Sequence, residues 1–113
     1  MIQYNMVAIV GTGLIGGSIG LALRERKLAR EVIGIGRKQL SLDAARQVGA
    51  IDRGVTDLAA GVSQAQLVIV CTPVDSISEK LVQVAAACRT DALLTDAGST
   101  KETIVGSVDK ALV

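Results

Sequence analysis

Gly11, Gly13 and Gly16 stand in the pattern G-x-G-x-x-G, written out as Gly11-Thr12-Gly13-Leu14-Ile15-Gly16. An apolar run, Met6 to Val10, comes directly before them, and an apolar, helix-compatible segment from Leu14 to about Arg26 follows. This spacing between a strand and a helix is what a bound pyrophosphate requires. Gly11 permits the sharp turn, Gly13 lets the phosphates approach the backbone, and Gly16 lets the helix lie close to the sheet. Unpaired N–H groups at the helix start, those of Leu14 and Ile15 among them, then face the negative charge. The chemistry implied is the binding of a dinucleotide.

A second set of residues bears on which dinucleotide. A carboxylate that accepts from the ribose 2′-OH of NAD stands about 20 residues beyond the glycines, at the end of the second strand. Counting from Gly16 leads to Gly36-Arg37-Lys38, and the next acid is Asp43. Arg37 can stack on adenine and pair with a 2′-phosphate, and no carboxylate is there to repel that phosphate. Lys38 and Ser41 add possible contacts. The expected cofactor is NADP, with NAD the alternative.

The elements that must position these residues alternate along the chain. Glu31–Gly36 reads as the second strand. Ser41 is expected to cap a short helix that turns Leu42, Ala45 and Val48 inward and closes at Gly49. Ala50–Val55 reads as a third strand and Thr56–Ala60 as one helical turn. Leu67–Cys71 is a continuous apolar run, as in a strand buried on both faces, and Thr72-Pro73 stops it. Asp75 is expected to cap the next helix, on which Ile77, Leu81, Val84, Ala85 and Cys88 share one stripe. Ala92–Thr95 reads as a fifth strand, and Ile104, Val105, Val108 and Leu112 mark a last helix. The fold predicted is α/β, a Rossmann-type doubly wound parallel sheet of strand order 3-2-1-4-5. Cys71, Thr72 and Pro73 then fall on the loop beside the glycines, at the carboxyl ends of the strands.

Composition sets the outer limits. The 113 residues make one domain, half of them apolar but with Tyr4 the only aromatic, so Val, Ile, Leu and Ala must build the core. A net charge of +1 gives no reason to expect nucleic acid or an anionic membrane surface as partner. The apolar runs are too short to span a bilayer, and the start of the chain lacks the marks of a secretory signal. Cys71 and Cys88 read as small core hydrophobes rather than a disulfide or metal pair, which fits a reducing, cytoplasmic setting. No metal ligands are expected. Histidine is absent, so the commonest general base near neutral pH is missing from these residues.

After the fifth strand comes Asp96-Ala97-Gly98-Ser99-Thr100-Lys101. Together, GTGLIGGSIGLAL at Gly11–Leu23, VCTPV at Val70–Val74 and this DAGSTK motif resemble the prephenate/arogenate dehydrogenases of tyrosine biosynthesis. The resemblance covers essentially the whole chain. It implies oxidative decarboxylation: hydride leaves the hydroxyl-bearing ring carbon for the nicotinamide, and loss of CO2 aromatises the ring. The substrate would be prephenate or arogenate. Ser99 maps to a serine close to the substrate hydroxyl and the cofactor, and Thr72 and Pro73 map to the nucleotide loop. The family's catalytic histidine, its substrate arginine and its helical dimerisation domain lie downstream of these motifs. Residues 1–113 are therefore expected to bind cofactor without turning over alone, and the complete enzyme to be a homodimer. Ser99 also heads an S-x-x-E capping box with Glu102, a role compatible with substrate contact. Two other readings fit the glycine motif: another small dehydrogenase or reductase, and a non-catalytic NADP(H)-sensing module.

Overall fold

A computed structural model describes residues 4–11, 13–71, 74–89 and 91–96. The elements run β1 (Tyr4–Val10), α1 (Leu14–Glu25), β2 (Ala29–Ile35), α2 (Gln39–Gln47), β3 (Arg53–Val55), α3 (Leu58–Val62), β4 (Leu67–Val70), α4 (Val74–Ala87) and β5 (Leu93–Asp96). The strands form one parallel sheet of order β3-β2-β1-β4-β5, the order expected from the sequence.

Alternation along each strand divides the core into two layers. On one face Val7, Ile9, Val32 and Ile69 pack with Leu23 of α1 and with Leu42 and Ala45 of α2. On the other, Ala8, Val10, Ile33, Ile35, Val68 and Val70 pack with Val62 of α3 and with Leu81 and Val84 of α4. Aliphatic side chains supply both layers. Tyr4 only borders the first.

Register brings the strand ends level. Val55, Ile35, Val10, Val70 and Asp96 occupy one row across the sheet, each paired with the next. All the strands leave the sheet at this carboxyl edge, which is where the loops gather.

Several local expectations need correction. Ser41 does not cap α2. The helix starts at Gln39, the extended Lys38 is its N-cap position, and Ser41 lies within the first turn. The earlier start follows from the Lys38 carbonyl, which accepts from Leu42 N–H (3.3 Å) and so closes a turn ahead of the first buried side chain. Val48 is 66% exposed rather than inward. It is six positions, or about 240° of rotation, beyond the buried Leu42 and ends the helix. Asp75 lies inside the first turn of α4, since that helix begins at Val74. The third strand is confined to Arg53–Val55, and Ala50 and Ile51 fill the core ahead of it. Neither Cys71 nor Cys88 forms a disulfide, and both are half-buried. Burial pushes the Cys88 thiol up, opposed in part by a backbone hydrogen bond. The last helix and the Ser99–Glu102 capping box lie outside the described residues.

Both helices facing the first layer end in the same hydrogen-bond motif. In α2, Gly49 N–H bonds to Arg46 O (3.1 Å) and Ala50 N–H to Ala45 O (2.9 Å), with Gly49 at φ +83. In α1, Lys27 N–H bonds to Arg24 O (3.2 Å) and Leu28 N–H to Leu23 O (3.0 Å), with Lys27 at φ +54. These are Schellman motifs, one on glycine and one on lysine. The short α3 is started by Asp57, whose Oδ1 accepts from Ala59 N–H (3.1 Å) and Ala60 N–H (3.5 Å). Asp57→Ala is expected to destabilise the domain by about 1 kcal/mol, read from chemical denaturation; an unchanged midpoint would remove that role.

Candidate functional site

The parallel ladder continues one residue past the strands at the carboxyl edge. Gly11 N–H donates to Ile35 O (2.7 Å), Cys71 N–H to Val10 O (2.8 Å) and Gly36 N–H to Val55 O (3.3 Å). Gly36, Gly11 and Cys71 are thereby set side by side at the tops of β2, β1 and β4. Three positions singled out from sequence meet at one ledge.

The three fingerprint glycines do different things in the fold. Gly11 has φ +92, a conformation that side chains resist. A Cβ on Gly16 would lie 2.1 Å from Gly11 O and 3.2 Å from Ile9 Cγ2, so α1 crosses the turn with no room to spare. A Cβ on Gly13 would meet nothing within 4 Å, and Gly13 itself is exposed. The space over Gly13 is the cradle that an approaching phosphate needs.

Polar groups at this place suit an anion. The first bond of α1 runs from Gly17 N–H to Gly13 O (2.8 Å), leaving the N–H groups of Leu14, Ile15 and Gly16 without acceptors in the helix. Gly13, the N-cap residue, offers no side chain to them, and the first turn of α1 has no acid. Next to it, α2 also begins without a side-chain cap and without an acid in its first turn. Arg37, Lys38 and Ser41 are all exposed around that start, and neither Arg37 nor Lys38 makes an ion pair among the described residues. The nearest acid along the chain, Asp43, accepts from Gln39 Nε2 (3.0 Å). Thr72, Pro73 and Ser99 lie outside the described residues.

A second close approach escaped the sequence reading. A Cβ on Gly20 would stand 2.2 Å from Ala50 O and 3.4 Å from Ile9 Cδ1. Gly16 and Gly20 are four apart and share a face of α1, a spacing that could have flagged the contact.

Residues 19–113 match the family described as prephenate dehydrogenase, nucleotide-binding domain. The chain belongs to that family. It is 36% identical over 109 residues to the prephenate dehydrogenase of Bacillus subtilis, covering 96% of this chain and 29% of that protein. A cyclohexadienyl dehydrogenase of Zymomonas mobilis is 28% identical over 112 residues, covering 99% of this chain and 38% of that one. Among solved structures, the Aquifex aeolicus prephenate dehydrogenase in complex with hydroxyphenyl propionate and NAD+ superposes with a TM-score of 0.83 at 28% identity. That match covers 96% of this chain and 38% of the other. Synechocystis arogenate dehydrogenase gives 0.83 at 28% identity, covering 94% of this chain and 37% of the other. The chain thus spans less than two-fifths of the length of each of these relatives. It is a nucleotide-binding domain of this family, and its ledge and cradle fit an NAD(P) pyrophosphate. No helix among the described residues is long and apolar enough to cross a membrane.

Proposed function

We propose that this domain holds NADP in preference to NAD, and does so for a cytoplasmic dehydrogenase that oxidatively decarboxylates prephenate or arogenate. One observation carries the cofactor preference. The residue that tops β2 beside Gly11 is Gly36, and exposed Arg37 and Lys38 follow it to the uncapped start of α2. A 2′-phosphate placed there would gain charge-assisted hydrogen bonds and meet no carboxylate. The Aquifex relative has a structure with NAD+, so the titration must compare both nucleotides.

Each element has a part in this reading. Gly11, Gly13, Gly16 and the N–H groups of Leu14 and Ile15 cradle the pyrophosphate. Gly36, Arg37, Lys38 and Ser41 hold the adenosine ribose, Cys71 stands beside Gly11 at the top of β4, and Thr72 and Pro73 are assigned to the nucleotide by the family resemblance alone. When bound, the nicotinamide accepts the hydride from the substrate. Ser99 contacts the substrate hydroxyl, while the proton acceptor, the substrate arginine and the dimer contacts are supplied by a further segment. Residues 1–113 alone bind cofactor and do not turn over, because no histidine is present to take the hydroxyl proton.

Titration of the 113-residue chain with NADPH and NADH tests the preference. Tighter NADPH binding is expected, and Arg37→Ala should weaken it about 10- to 100-fold, the worth of one hydrogen bond to a charged group, with little change for NADH. Gly36→Asp should reverse the order. Its Cβ would make only ordinary contact, 3.4 Å from Leu42 Cδ2, so the variant is expected to fold. Equal affinities in the parent, or a preference unmoved by both variants, would sink the proposal.

A further inference from the structure

We propose that the amino edge of the sheet carries a second binding site, for a small molecule with two or more negative charges. An open pocket of about 230 Å³ lies there, lined by Arg24, Lys27, Ala29, Arg30 and Asp52. It sits where α1 hands over to β2, at the opposite end of β2 from the nucleotide ledge. Water takes about 30 Å³ per molecule in the liquid, so the pocket has room for a phosphate or a small polycarboxylate. A whole dinucleotide is too large for it.

The charges in this pocket are arranged and unequal. Asp52 is already spent: its Oδ2 accepts from Val32 N–H (2.7 Å), and its Oδ1 lies 3.1 Å from Arg24 Nη2. Arg24 is held on a second side, donating from Nη1 to Gly49 O (2.6 Å). That fork fixes one guanidinium in the wall of the pocket without consuming Lys27 or Arg30, which make no ion pair among the described residues. Three cations against one carboxylate leave the lining with an excess of two positive charges.

The backbone adds an independent reason. The two Schellman motifs have the same hydrogen bonds, yet one closes on glycine and the other keeps a lysine at φ +54. Glycine is the residue that this position favours, and a lysine there is strained. Cations at the end of α1 suit the helix dipole, but Arg24 and Arg26 already meet that need without entering the left-handed region. Lys27 lines the pocket at a cost to the fold, and strain of this kind marks functional positions.

The test is calorimetric titration of the chain with citrate and, separately, inorganic phosphate, against sodium chloride of matched ionic strength. Saturable binding of at least one is expected, and the tighter of the two identifies carboxylate or phosphate as the preferred group. Lys27→Gly should weaken it tenfold or more while raising the melting temperature of the unliganded chain by about 4 °C, because glycine relieves the strained turn. Arg30→Gln should weaken it as well, and NADPH binding should be unchanged in both variants. No saturable binding of either anion would overturn the proposal. So would binding that survives in the Lys27→Gly/Arg30→Gln double variant, since the anion would then be held elsewhere, as at the glycine loop.

Discussion

Gly16→Ala is expected to lose about 3 kcal/mol or more of folding stability, as is Gly20→Ala. The reason is what each Cβ would strike: Gly11 O at 2.1 Å in the first case and Ala50 O at 2.2 Å in the second. Both are backbone atoms, so no rotamer change relieves the clash, and α1 must lift from the sheet. Overfilled sites that only displace side chains cost about 1–3 kcal/mol. Lifting α1 also exposes its contacts with Ile9 in the first core layer. Domains of this size have about 5–15 kcal/mol in total, so the melting temperature should fall by roughly 10 °C or more. A variant melting within about 2 °C of the parent would show that the helix has slack that the distances deny.

Gly13→Val should do the opposite: leave the fold intact and remove dinucleotide binding. Gly13 sits at φ −67 and ψ −157, an extended conformation open to any residue, and a Cβ there meets nothing within 4 Å. Its stability is expected within about 1 kcal/mol of the parent. The added side chain would fill the space through which phosphates reach the N–H groups of α1, so NADPH affinity should fall by about 100-fold or more. Melting and titration of the same sample separate the two readings. A stable variant that binds NADPH as before would mean that the pyrophosphate does not pass over Gly13. A variant that fails to fold would mean that Gly13 is a packing residue like Gly16.

How far the sequence revealed this arrangement differs from element to element. The strands and the glycine turn were legible because apolar runs and turn residues mark them directly, and the strand order followed from the glycine fingerprint with right-handed crossovers. Strand starts were not. Both β1 and β2 begin two residues earlier than expected from the sequence, at Tyr4 and Ala29, and both bury only their last four residues. Pairing extends to the exposed amino edge, where Asn5 and Arg30 need not be apolar, so hydropathy cannot mark that limit. Ser41 misled for a related reason: capping preference is weak beside the demand that Leu42 and Ala45 reach the core, and the helix simply starts sooner. The contact of Gly20 with Ala50 O joins α1 to a segment far along the chain, and only the four-residue spacing from Gly16 hints at it. At the ledge, Gly11, Gly36 and Cys71 were each legible singly. That they stand in adjacent ladder positions follows only from the register of three strands.

The bare start of α1 has a bearing on how long the protein lasts. A helix whose opening turn lacks an internal partner begins its fraying there, and α1 is also the element that spans the first core layer. A dinucleotide at 100 times its dissociation constant adds about 2.7 kcal/mol to the folded state. For a domain of marginal stability that is a large fraction of the whole, and it slows degradation that proceeds through the opened chain. The lifetime of the domain would then rise and fall with the supply of its own cofactor.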